Sequence, residues 1–271
     1  MKFTGVVILY YPENKWIKNI MTYIGFLEKL IIIDNSPKPI DSLPENILQK
    51  TVYLHENGNM GIAKRLNQAL DYANKEGFKF LLTMDQDSSF EENHIKSYIQ
   101  KATEYLSSNS IIAVGIPFDP PSNSLKMSQD LLITAGTIIN IEHALRLNGF
   151  DEKLFIDYVD TEFCLRAWKN SYQTIAINGV KMNHEFGEGK LVWSPKIKKE
   201  VRRFHTPIRL YYLTRNYLYT KNKYPEFKIY LPFSYIVYEI KNAILYGGKP
   251  FSYFYQIIRG IKDYLNNQMG K

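Results

Sequence analysis

Residues 80–90 read FLLTMDQDSSF, an apolar run that ends abruptly in Asp85 and Asp87 with one residue between them. The run has the length and character of a buried strand. In open α/β sheets ligands sit outside the carboxyl ends of the strands, which is where this pair would lie. Two carboxylates so close repel unless something positive lies beside them. A hard divalent cation with oxygen ligands, itself bound to phosphate, is the natural partner. The alternative is a polar loop with an Asx-type turn, because Asp-x-Asp alone is a short pattern.

The surrounding sequence supplies the sheet. GVVILYY (5–11) reads as a buried strand closed by Pro12, LIIIDNS (30–36) as a second and TVYLHEN (51–57) as a third. FKFLLTMD (78–85) is a fourth and IIAVGIP (111–117) a fifth. Between them, WIKNIMTYIGFLEKL (16–30), NMGIAKRLNQALDYANKEG (59–77) and ENHIKSYIQKATEYL (92–106) carry apolar residues at helical spacing. Alternating strands and helices predict an α/β fold with a mainly parallel sheet covered on both faces. Its carboxyl edge gathers Tyr11, Asp34, Asn57, Asp85 and Asp87 from distant parts of the chain.

Composition narrows the class. The 271 residues are enough for one substantial domain with an extension. The 45% hydrophobic and 14% aromatic content is that of a globular protein, not of a disordered one. One cysteine, Cys164, excludes an internal disulfide framework and fits a reducing compartment. MKFTGVVILYYPENKW (1–16) reads as a first strand, not a secretion signal. The longest late apolar run, IYLPFSYIVY (229–238), is ten residues against the roughly 20 needed to cross a bilayer. A cytoplasmic protein is therefore expected. Net charge is +7, but residues 196–271 carry 15 Lys and Arg against 4 Asp and Glu, whereas the first 195 carry 19 against 23. An acidic-leaning body thus precedes a basic, tyrosine-rich tail.

Seven stretches in fixed order then carry a resemblance: VVILYYP, IIIDNS, NMGIAKRLNQA, LLTMDQDS, TAGTIINIEHALRLNGFDEKLFIDYVDTEFCLRAWKNSY, MNHEFG and YYLTRN. Together they span about four-fifths of the chain. The sequence resembles the family 2 glycosyltransferases, which are inverting, nucleotide-sugar-dependent enzymes of the GT-A fold, and is most similar to their bacterial rhamnosyltransferase branch. The resemblance implies a GT-A catalytic domain over residues 1–205 and a helical extension over 206–271. The nucleotide-sugar half would run to about 118 and the acceptor half from about 119.

By position, Asp34 resembles the aspartate that contacts the nucleotide base. Asp85 and Asp87 resemble the motif that holds Mg²⁺ or Mn²⁺ against the donor diphosphate, and His184 resembles a histidine near that metal. Asp160 matches the general base and Arg215, in TRN, a basic residue near the leaving phosphates. Tyr11, Asn59, Gly61, Asn67, Gly136 and Asp157 join them as candidate substrate-binding positions. There are departures: Val159 stands where many relatives carry Glu before the base, and Leu66 occupies a slot that is often Arg, so Arg65 is given no phosphate role. The Gln-x-x-Arg-Trp pattern of processive synthases is absent.

The same residues make chemical sense. Negative charge builds on a departing diphosphate, and a cation would stabilise it there. An acceptor hydroxyl needs a carboxylate within hydrogen-bond reach to take its proton. DYVDTEFCLRAW (157–168) reads as a helix beginning near Asp160, where an acidic residue also favours the helix dipole. Asp157 and Glu162 flank it and remain alternatives for the base, while Asp151 reads as a turn former or an acceptor contact. His184 follows strand-like TIAINGVKM (174–182), which favours the metal or diphosphate site, whereas alone it would more often be structural. Gly58, Gly61 and Gly136 read as tight backbone first, and Cys164 as packing.

The tail admits three readings: helices packed on the body, nucleic-acid binding, or attachment to an anionic membrane surface. Packing with contact at the inner membrane face is favoured, with a lipid-linked or oligosaccharide acceptor. The expected activity is transfer of a sugar, L-rhamnose from dTDP-rhamnose or another sugar from a UDP donor, onto a bacterial surface glycan. The rivals are a nucleotidyltransferase on a similar sheet, for which YYPENKW offers no Gly-rich basic loop, and a basic nucleic-acid-binding module.

Overall fold

A computed structural model describes residues 3–13, 15–56, 58–91, 94–116, 130–184, 188–193, 199–229, 232–246 and 249–271, with only the backbone described at 184, 188–193 and 200–204. Asn57 lies outside these residues. The chain forms two compact units, Met1–His184 and Glu185–Gly270.

The first unit is built on a seven-stranded sheet. Its strands, in chain order, begin with β1 (Phe3–Leu9), β2 (Lys29–Asp34), β3 (Thr51–His55) and β4 (Phe80–Asp85). After the short β5 (Ser88–Phe90) come β6 (Ile111–Gly115), β7 (Thr137–Asn140) and β8 (Gln173–Ala176). The spatial order is β3-β2-β1-β4-β7-β6-β8. β1 pairs in parallel with both β2 and β4, β2 with β3, and β6 with β8. β7 alone runs against its neighbours. Every residue of β1 and β6 is buried, as the sequence expectation of a sheet covered on both faces requires.

The covering helices of this unit are α1 (Lys15–Met21), the one-turn α2 (Glu45–Leu48), α3 (Ile62–Lys75), α4 (His94–Tyr105), α5 (Ile141–Arg146) and α6 (Val159–Lys169). The spacing of α3 predicts an apolar stripe of Ile62, Leu66, Ala69, Leu70 and Ala73; the last four are buried and Ile62 is half-buried, with Ala63 buried beside it. Fully burying a residue such as Leu66 is worth about 1.5–3 kcal/mol. The helix expected over 16–30 stops at Met21 and resumes only as a 3₁₀ turn at Ile24–Phe26. Thr22 and Gly25 are poor helix residues there. The Thr22 hydroxyl also donates to the Asn19 carbonyl and accepts the Phe90 amide, which ties the break to β5.

The strand-like run TIAINGVKM divides at Gly179, where φ is +80°. Its first half is β8 in the main sheet, and its end enters β9 (Met182–His184), which pairs antiparallel with β5.

The second unit holds an antiparallel ribbon, β10 (Glu188–Trp193) and β11 (Lys199–Phe204), followed by α7 (Pro207–Lys223), α8 (Phe233–Leu245) and α9 (Pro250–Leu265). Leu210, Ile236, Ala243 and Tyr253 form its small apolar core, joined by Leu213, Tyr235, Ile240 and Ile257.

Candidate active site

The chain leaves β1 toward β2 and β3 on one side and returns to β4 on the other, so the topological switch point, where such sheets bind ligands, lies between the carboxyl ends of β1 and β4. Leu9 is in register with Asp34, and Ile8 with Asp85. Beyond the last strand residues, side chains continue the pairing. The Tyr10 amide donates to Gln86 Oε1 at 2.8 Å while Gln86 Nε2 donates to the Tyr10 carbonyl at 3.2 Å. The Tyr11 amide donates to Ser36 Oγ at 2.8 Å. These bonds hold Tyr11 at φ +47°, a left-handed conformation that costs a non-glycine residue about 1–3 kcal/mol. The result is an edge-on pair of tyrosine rings, 4.7 Å apart, with Tyr11 64% exposed.

Asp34 is buried and turned into its own loop. It accepts the Ser36 amide at 2.9 Å, the Ile40 amide at 3.2 Å and the Tyr53 hydroxyl at 2.7 Å. Burial pushes its pKa up, but the Ser36 and Tyr53 hydroxyls and the two amides outweigh that and hold the carboxyl below its usual range. These bonds shape the loop that follows β2.

The next residues link three element ends. Asn35 Oδ1 accepts from the Met60 amide and from Arg65 Nε, while Asn35 Nδ2 donates to Asn59 Oδ1 at 2.8 Å. Asn59 Oδ1 also accepts the Gly61 amide. Arg65, fully buried, reaches the Glu56 carboxylate at 3.0 Å and the carbonyls of Glu56 and Gly58. Sequence reasoning assigned Arg65 nothing, yet it is the hub of this edge. Its signal was a single arginine in an otherwise apolar helical stripe. Gly61 has φ +85°, and a Cβ there would come within 2.6 Å of the Phe155 carbonyl oxygen. That closeness lets the Ile62 amide donate to the same oxygen at 2.7 Å, bringing the start of α3 onto the segment that precedes α6.

Asp85 ends β4 and Asp87 follows in the tight turn to β5. Burial, then the charge of Asp85, drives the Tyr23 hydroxyl far above its ordinary pKa, which places that phenol near Asp85. His184 is paired through its backbone with Ser88, so the register brings it beside Asp87; its side chain lies outside the described residues. Among the described residues no group of three or more His, Cys, Asp and Glu side chains is arranged to hold a metal.

Asp160 stands in the first turn of α6, after two consecutive left-handed residues, Asp157 at φ +64° and Tyr158 at φ +65°. It is half-buried. Burial raises its pKa, its own amide and those of Thr134 and Thr161 pull the value back, and the Asp157 charge pushes it up again. Thr134 connects Asp160 to the sheet: the Thr83 hydroxyl donates to the carbonyls of Thr134 and Thr137. Thr83 lies on β4, two residues before Asp85. Gly136, at φ +77°, belongs to the same loop, with its amide on the Thr83 carbonyl and its own carbonyl accepting the Tyr98 hydroxyl. Cys164 is buried behind Asp160, and burial pushes its thiol up to about 12, so it is packing.

Three expectations change here. Glu162 is not an alternative base: it is fully buried and both oxygens are held by Arg166 at 3.1 and 2.8 Å. Asn67 is directed into the fold, where it braces the Phe150 backbone. Arg215 belongs to the second unit and is 1% exposed. Its guanidinium donates to Asn216, the Tyr211 hydroxyl and the Gln268 and Gly270 carbonyls, and lies over the Tyr211 and Tyr212 rings. Those partners make it a brace for the helical unit.

A family model described as glycosyl transferase family 2 matches residues 6–164, from β1 through the first turns of α6. The chain belongs to glycosyl transferase family 2. The transferase is 28% identical over 252 residues to the dTDP-rhamnosyl transferase RfbF of Shigella flexneri, covering 82% of this chain and 81% of that one. S. aureus TarS 1-349, solved in complex with UDP-GlcNAc, is similar in fold at a TM-score of 0.56 and 14% identity, covering 98% of this chain and 81% of that one. GalNAc-T7, solved with UDP, GalNAc and Mn²⁺, gives a TM-score of 0.51 at 12% identity over 68% of this chain, which spans 43% of that protein. These likenesses show the fold, the GT-A arrangement with C-terminal helices. Family membership sets aside the nucleotidyltransferase and nucleic-acid-module readings of the function. No helix among the described residues is long and apolar enough to cross a membrane.

Proposed function

We propose that this transferase moves a sugar from a nucleoside diphosphate donor to a hydroxyl of a glycan acceptor with inversion, and that Asp160 is the general base. The observation that carries this reading is the raised pKa of Asp160, in a position tied through Thr134 and Thr83 to the strand that ends in Asp85. A carboxylate whose pKa is raised is the stronger proton acceptor. In the reaction the acceptor oxygen bonds to the anomeric carbon as the bond from that carbon to the diphosphate oxygen breaks. Asp160 takes the hydroxyl proton, and the electron pair leaves with the diphosphate. The left-handed Asp157–Tyr158 pair fixes where α6 begins and thus where Asp160 points.

The donor is proposed to lie across the β1–β4 switch point, its nucleoside against the exposed Tyr10 and Tyr11 rings, its diphosphate toward Asp85 and Asp87. Those two carboxylates are hard oxygen donors of the kind that would hold Mg²⁺ or Mn²⁺. The ion would supply stabilisation of the charge that develops on the diphosphate. The likeness to RfbF supports dTDP-rhamnose as donor and a bacterial surface polysaccharide as the destination. The acceptor is proposed to be lipid-linked, at the inner face of a membrane that the second unit touches.

The test is a thermal-shift panel of dTDP-rhamnose, UDP-sugars and GDP-sugars with and without Mn²⁺. A ligand at a hundred times its Kd adds about 2.7 kcal/mol of stability, which is readily seen. A shift with dTDP-rhamnose and Mn²⁺ together supports the reading. No shift with any nucleotide sugar overturns it.

A further inference from the structure

The second unit buries one face of each of its last two helices and leaves a second apolar face uncovered. On α9 the inward side is Tyr253, Gly260 and the half-buried Ile257, and on α8 it is Ile236 and Ala243. These residues complete the unit's core. Phe251, Phe254, Tyr255, Ile258, Ile261 and Leu265 lie on a second side of α9 at spacings of 3, 1, 3, 3 and 4 residues, which keeps them on one stripe. All six are exposed, Phe251 by 86% and Leu265 by 71%. Phe233, Val237 and Ile244 form a matching exposed row on α8. A contiguous apolar face of this kind on a soluble unit marks an interaction surface.

The charges around the face select its partner. On α8, α9 and their connection the exposed charged residues are Lys241, Lys249, Arg259 and Lys262, all basic. The two acids of these helices are taken: Glu239 is buried against His205, and Asp263 accepts the Tyr211 hydroxyl and pairs with Arg259. A second copy of the chain would bring one basic border against another. An anionic bilayer complements both the apolar face and its border.

We propose that α8 and α9 form an in-plane membrane anchor, with Phe251, Ile258 and Leu265 entering the acyl boundary and Lys241 and Lys262 on anionic headgroups. This rests on the membrane-contact part of the proposed function and names its surface and lipid requirement. No helix among the described residues is long and apolar enough to cross a bilayer, and the proposed anchor lies along its surface. Each Lys or Arg near such a surface strengthens partitioning about fivefold.

The test uses the full chain in flotation with vesicles of phosphatidylcholine alone and of phosphatidylcholine mixed with phosphatidylglycerol. Expected is at least tenfold stronger binding to the anionic vesicles, weakened by high salt. Phe251→Ser with Ile258→Ser should lose most binding, and Lys241→Glu with Lys262→Glu should lose the preference for anionic lipid. All four positions are exposed, so both variants should fold, and dTDP-rhamnose should shift their melting as it shifts the parent. Failure of the parent chain to bind anionic vesicles, equal binding to both compositions, or unchanged binding by the Phe251→Ser, Ile258→Ser variant overturns the proposal. So does a parent dimer that this variant converts to monomer, seen by light scattering, because the face would then be an interface between copies. The transferase reading fails separately, in the nucleotide-sugar panel.

Discussion

The side-chain amide of Asn67 grips the backbone of Phe150 from both sides: Oδ1 accepts the Phe150 amide at 2.6 Å and Nδ2 donates to its carbonyl at 2.9 Å. Gly149 permits the approach, since at φ +63° a Cβ there would overlap the Asn67 carboxamide. Arg166 on α6 donates to the carbonyls of Leu147 and Gly149 on the same loop. α3 and α6 are thereby joined through one loop, and α6 carries Asp160.

Asn67→Ala removes both bonds and leaves part of the Phe150 backbone unpaired. The expected loss is about 1–3 kcal/mol in urea unfolding. Nucleotide-sugar affinity of the folded protein should be little changed by comparison. A variant of unchanged stability with tenfold weaker donor binding would return Asn67 to the substrate-binding role.

Asp160→Asn should cut turnover about 10²- to 10⁴-fold while leaving donor affinity near the parent value. It should also raise the melting temperature at neutral pH. The folded-state pKa of Asp160 lies above its unfolded value, so its contribution to stability is full below the unfolded pKa and is lost as pH rises through the folded one. Asparagine does not ionise and so avoids that loss. Near-parent turnover would remove Asp160 from the role.

The acid limb of the pH–rate profile should follow the same group and sit above the usual carboxylate range. Asp157 contributes to that rise by repulsion. Asp157→Asn should move the limb to lower pH without unfolding the protein, because asparagine tolerates the left-handed backbone found there. An unmoved limb would separate Asp157 from the titration.

Tyr53→Phe deletes a hydrogen bond to the Asp34 carboxylate, at an expected cost of about 1.5–3 kcal/mol near neutral pH. Asp34 has a lowered folded-state pKa, so its contribution is present above the unfolded value and is lost as pH falls through the folded one. The difference between parent and variant should therefore shrink toward pH 3, as urea melts at both pH values would show. An equal difference at both would contradict the assignment.

Asp87→Ala should weaken donor binding at least tenfold by calorimetry when Mn²⁺ is present and leave metal-free binding unchanged. Equal affinity with and without the ion in both proteins would dissociate Asp87 from any metal.

The sequence by itself determined the sheet and which residues stand at its carboxyl edge. Runs such as VVIL and FLLTM bury both faces of a strand, and that requirement leaves a local mark in every residue. The order of motifs likewise marked the family, because motif residues are read one at a time. What the tertiary structure decided are the pairings between distant segments. The antiparallel insertion of β7, the turning of Asp34 and Arg215 into their own surroundings and the burial of Glu162 against Arg166 each depend on which partner arrives from elsewhere. A carboxylate or guanidinium carries the same charge whether it faces a ligand or a backbone carbonyl. Only the packed neighbours settle which of the two it meets.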